Sequence, residues 1–193
     1  MKAHVYEPCS SEFQIKPWLF QWQNIITSTD VASYLVSLDK DKVYFTDELL
    51  GKEIVEEEIT KKNFRLNKIL HLANILHYSK HGKALFEEEL RAFPHGAMIE
   101  EIYCKLLKNE ELTPYSRGSN FLEHHGEKEE MVRKVFNRFK QYDDKQLIFF
   151  SQEDPAWEAA WKNKIKYLSI SEEIIKFYQV FYNHAVKELD CFI

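Results

Sequence analysis

At 193 residues the chain has the length of one domain, or of one domain with an appendage. A chain of this size buries roughly 70% of its extended surface, enough for a core without staples. Its 45% hydrophobic and 30% charged residues exclude a disordered chain, and 5 Gly and 5 Pro leave few tight turns, which favours helices. A net charge of -5 argues against nucleic-acid binding by bulk electrostatics, though not against a local basic patch. The start has no signal-peptide stretch, and no run approaches the ~20 apolar residues of a membrane span. Three distant cysteines, Cys9, Cys104 and Cys191, fit a reducing compartment, where they are small buried groups. The expectation is a soluble, cytoplasmic protein.

Residues 1–27 read as an N-terminal extension: Glu12 to Lys16 alternate polar and apolar, and Pro17 to Trp22 gather aromatics around a proline. Residues 28–193 form the main, helical domain. Thr29 is the expected N-cap of its first helix, with Val31, Tyr34, Leu35 and Leu38 on one stripe. Val43-Tyr44-Phe45 suits a strand or a helix entry, and Glu56-Glu57-Glu58 a solvated helix face. From about Phe64 to His81 the pattern is apolar nearly all round, which marks a central helix covered on several sides. Gly82 follows as a C′ residue free to take positive φ.

The segment 85–96 reads as a short extended or β-hairpin element, turned by Pro94-His95-Gly96. An amphipathic helix through Ile99, Ile102, Tyr103, Leu106 and Leu107 comes next, then a polar loop over 109–126. The last third is helical again. Asp144 is an expected cap, Asp154-Pro155 opens a helix bearing Trp157 and Trp161, and Ser171 caps the final helix.

Chemistry is poorly signalled. His77 and His81 have the i, i+4 spacing of a shared metal site, but the residue after His77 is Tyr78 and not the glutamate of a zinc protease. With no third ligand near in sequence they read as ordinary helix histidines, and neither a metal nor another cofactor is expected. His124-His125 reads as surface. The glycines never cluster into a phosphate loop, and no G-x-S-x-G elbow occurs.

Three blocks carry more information: Leu66-Asn67-Lys68-Ile69-Leu70-His71-Leu72-Ala73-Asn74; His81-Gly82-Lys83-Ala84-Leu85; and Arg91-Ala92-Phe93-Pro94-His95-Gly96-Ala97. Together they resemble the Panacea domain of the SocA-like antitoxin, or phage-associated, family. That family carries a K-L-x-K-L-L-Y-x-A helix, a Y-G-x-x-L turn and an A-[WF]-x-[YH]-G-P element. Leu147 to Gln152 followed by Pro155-Ala156-Trp157 is similar to its L-x-x-L-[ST]-H…P-W segment, with Gln152 at the histidine and Ala97 at the usual proline.

The resemblance implies a mainly α, non-enzymatic protein-binding domain. Such a domain neutralises a cognate toxin by direct contact, or acts as an adaptor that hands it to an ATP-dependent protease. The alternatives are a phage or mobile-element accessory protein that inhibits a host factor, and a hydrolase or nuclease using the histidines. The partner-binding candidates are Lys83, Leu85, Phe86, Arg91, Phe93 and His95, because mixed apolar and charged side chains on an extended piece beside a rigid helix suit recognition. Gly82, Pro94 and Gly96 are the structural turn positions.

Overall fold

The computed structural model of the chain describes residues 26–41, 43–45, 61–107, 112 and 126–180. Residues 1–25 of the N-terminal extension expected over 1–27, the acidic run Glu56–Glu58 and His124-His125 lie outside them. The described part is mainly helical with one small antiparallel sheet.

Helix α1 is Ser28–Leu38. Its cap is Thr27, two residues before the expected Thr29. The Thr27 hydroxyl accepts the Asp30 N–H at 3.1 Å while the Asp30 carboxylate accepts the Thr27 N–H at 3.0 Å, a reciprocal box that satisfies two orphan donors. Val43 to Phe45 is neither strand nor helix. One carboxylate, Asp39, accepts the amides of Val43, Tyr44 and Phe45 at 3.0, 2.8 and 2.7 Å and bends the chain around itself.

Helix α2, Lys61–His81, is the axis. It packs against α1, against the sheet and against the three helices α3 (Glu100–Leu107), α4 (Gly126–Phe139) and α5 (Asp144–Gln152). The all-round apolar pattern is therefore a true sign of multiple neighbours. It is also incomplete, since Asn67, Lys68, His71, Asn74 and His77 are buried on the same helix. Gly82 ends α2 with φ +68, its N–H donating to the Tyr78 carbonyl.

Strands β1 (Leu90–Phe93) and β2 (Gly96–Ile99) pair from Leu90↔Ile99 to Phe93↔Gly96 around Pro94 and His95. The hairpin expected near 85–96 is therefore present, turned at Pro94 and His95 and running over 90–99, while Ile99, expected on the following helix, ends β2. Residues 83–89 bend without pairing, and the buried Asn74 side chain accepts the Leu85 amide at 2.8 Å. Residues 166–168 run beside the other edge of β1, through Ala92 N–H to the Lys166 carbonyl and Leu168 N–H to the Leu90 carbonyl, both 2.9 Å.

Asp143, one residue before the expected Asp144, caps α5 and exchanges hydrogen bonds with Gln146. Asp154 and Pro155 open α6, Pro155–Lys162, as expected. Residues 172–180 form helix α7, where the Ser171 hydroxyl accepts the Ile174 amide. Cys104 on α3 is disulfide-bonded and partly exposed, a correction to the expectation of buried free thiols; Cys9 and Cys191 lie outside the described residues.

Both turn glycines have positive φ, Gly82 at +68 and Gly96 at +100, but their surroundings differ. A Cβ on Gly82 meets nothing within 4 Å, whereas one on Gly96 sits 2.2 Å from Ser151 Oγ and 2.7 Å from its Cβ. Gly82→Ala is expected to cost about 1 kcal/mol through φ alone, and Gly96→Ala about 3 kcal/mol or more through φ and collision together. Denaturant titrations check this; equal losses at the two sites would contradict it.

Candidate functional site

Beneath the hairpin lies a buried polar cluster. In an antiparallel pair, alternate residues of each strand point their backbone groups outward, and on β2 these are Ala97 and Ile99. The outward groups are met by side chains. Ser151 Oγ accepts the Ala97 N–H at 3.1 Å, Lys68 Nζ donates to the Ala97 carbonyl at 2.9 Å, and Asn67 Oδ1 accepts the Ile99 N–H at 2.9 Å. Ser151 and His71 Nδ1 are 2.9 Å apart, His71 Nε2 donates to Asp154 Oδ2 at 2.8 Å, and Tyr178 on α7 donates to Asp154 Oδ1 at 2.7 Å. Asp154 Oδ1 also accepts the Ala156 amide at 2.9 Å, as the α6 cap. Donors and acceptors close without conflict when the Ser151 hydroxyl donates to His71 Nδ1. Burial holds the Lys68 amine well below the usual lysine pKa, because no aqueous shell supports its charge.

Ser151, His71 and Asp154 stand in the order and at the spacings of a hydrolase relay. All three are buried, however, and Gly96 lies directly over the hydroxyl. In this conformation the relay is a clamp that fixes the hairpin to α2, α5 and α6.

The expected partner-binding residues divide. Leu85 and Phe86 are core residues, buried beneath the bend after α2, and so present no side chain to a partner. Lys83 is exposed. Arg91, Phe93 and His95 are partly exposed on the hairpin. Arg91 pairs with Glu100 and its guanidinium lies over the Phe93 ring at 5.1 Å, while Phe93 packs on Tyr103. Trp157 Nε1 donates to the Phe93 carbonyl at 2.9 Å and Gln152 Nε2 to the Pro94 carbonyl at 3.2 Å, so α5 and α6 hold the turn from behind. His95 has its pKa lowered by partial burial and then by Lys68 beneath it.

From the sequence, Asn67, Lys68, Ser151 and Tyr178 are not candidate site residues, and Asp154 reads only as the cap of α6. The available signal was a lysine and an asparagine inside a helix apolar on every side, where each needs a partner that the helix cannot supply.

His77 and His81 do come together, with ring centroids 4.5 Å apart. Among the described residues no group of three His, Cys, Asp or Glu converges on a metal position. His77 is 1% exposed; its Nδ1–H donates to the Lys83 carbonyl at 2.7 Å, and Nε2 is buried without a partner. Burial, with His81, Lys128 and Lys83 nearby, pushes its pKa down from 6.5 to about 4. The unfolded chain thus takes up a proton below pH 6.5 that the folded chain refuses until about pH 4, so stability present above 6.5 is lost across that window. Discounted for screening, the loss is about 1 kcal/mol between pH 7 and 5. His77→Gln is expected to show a smaller difference between those two pH values in urea titrations, and a parallel loss in both proteins would contradict the assignment.

No curated protein and no solved structure matches the chain. The model of one family does, described as antitoxin SocA-like, Panacea domain, over residues 66–158. That span runs from Leu66 on α2 to Glu158 on α6 and contains the hairpin, the clamp apart from Tyr178, and Trp157. It is by this span that the chain is similar to the SocA-like Panacea family, as its motifs imply.

Proposed function

We propose that the chain is an antitoxin-like protein-binding domain that neutralises a toxin by direct contact through the hairpin turn. The family match supports an antitoxin-like, non-catalytic role, and no described helix is long and apolar enough to cross a membrane. The observation that carries the reading is the closure of both sheet edges: β1 is covered by residues 166–168 and β2 by Asn67, Lys68 and Ser151. A partner therefore cannot add a strand to the hairpin, as partners of open sheet edges do. What the hairpin offers is its turn: Phe93, Pro94 and His95 held rigid, with Arg91 beside them. Rigid presentation lowers the ordering cost of association.

His95→Ala is the cleanest probe, because Arg91 also supports Glu100 and Phe93. The test co-expresses this chain with the product of the adjoining reading frame. Growth arrest by that product alone, relieved by this chain, is the expected result. In calorimetry His95→Ala is then expected to weaken binding by about 1 to 3 kcal/mol while the melting temperature stays within about 1 °C. Full rescue and unchanged affinity for both His95→Ala and Arg91→Ala would remove the hairpin from the interface.

A further inference from the structure

We propose that the ridge from Trp161 to Lys166 docks an acidic segment of the protein partner that also carries a bulky apolar side chain. This rests on the reading that the chain binds a protein, and it adds the partner's chemistry and a second place of contact.

The ridge is continuous with the hairpin. Trp161 lies parallel to Trp157, 6.0 Å between centroids and 9° between planes, and Trp157 is bonded to the Phe93 carbonyl. Lys166 pairs through its carbonyl with Ala92 of β1. Two large apolar side chains stand out of the ridge, Trp161 at 41% and Ile165 at 54% exposure, interleaved with Lys162, Lys164 and Lys166.

The local charge runs against that of the whole chain. Glu158 accepts from Lys162, Glu100 faces both Arg91 and Lys166, and Lys164 has no ion pair among the described residues. The result is a basic, apolar strip on a protein of net charge -5. A nucleic-acid strand would need a run of free cations against that overall charge; a short acidic segment needs only the local excess.

Lys164 supplies an independent observation. α6 ends with the Lys164 N–H on the Trp161 carbonyl at 3.2 Å and the Ile165 N–H on the Ala160 carbonyl at 2.8 Å, the two bonds of a Schellman end. Its C′ position takes φ +56 here and is the place where glycine fits without steric cost. Among the described residues the fold makes no use of the Lys164 side chain, so its charge is kept at the expense of helix-end stability. Strain of this kind points to function.

The test pans a displayed library of random peptides of about a dozen residues against the immobilised full chain. Synthesised winners are titrated by fluorescence anisotropy against the wild type, Lys164→Gly, Trp161→Ala and His95→Ala, with oligothymidine in parallel. The expected winners join Asp or Glu to Leu, Phe or Trp, weaken with salt, and lose about fivefold or more in both ridge variants. Lys164→Gly is at the same time expected to melt about 2 to 4 °C higher than the wild type. Winners without acidic residues, no winners, affinities unmoved by both ridge variants, or tighter binding of oligothymidine would each overturn the proposal. Winners sensitive to His95→Ala alone would overturn the ridge and leave the hairpin reading standing.

Discussion

Closing one sheet edge governs this fold. A two-stranded hairpin is marginal in water, and its outer backbone groups must find partners once it is buried. β2 finds them in Asn67, Lys68 and Ser151 rather than in another strand. Each bond contributes about 1 kcal/mol net, but an unmet buried group costs about 1 to 3 kcal/mol, so the edge is secure only when all are present. The demand spreads outward from there. Ser151 is oriented by His71, His71 by Asp154, and Asp154 is shared between the cap of α6 and Tyr178 of α7.

Much of the frame was legible because local chemistry and tertiary structure agree in it. The uninterrupted apolar pattern of α2 announced a helix with neighbours on all sides, and Gly82 and Gly96 announced positive φ. The Asp154-Pro155 cap and the tryptophan pair on α6 also read directly. What could not be read was long-range. Nothing local shows that Lys68 will meet the Ala97 carbonyl, 29 residues away, or that Ser151 will lie under Gly96. For the same reason the spacing of Ile99 suits a helix, while the Asn67 side chain holds its amide in the strand. The charged neighbours of Leu85 and Phe86 break the apolar pattern and suggest a recognition surface, yet the bend set by Asn74 turns both inward.

The same clamp connects fold to function. A hairpin with both edges occupied cannot take up a further strand, and on the proposed reading recognition falls to the side chains of its turn. The ridge after α6 adjoins the hairpin through Trp157 and through residues 166–168, and on the same proposal Lys164 gives up helix-end stability to keep a charge there.

Amide hydrogen exchange tests the central claim most directly. If side chains of α2 and α5 close the β2 edge, the Ala97 and Ile99 amides exchange only through global unfolding, and Ser151→Ala releases Ala97 far more than Ile99. Exchange of both amides in the wild type as fast as that of the turn residue His95 would contradict it.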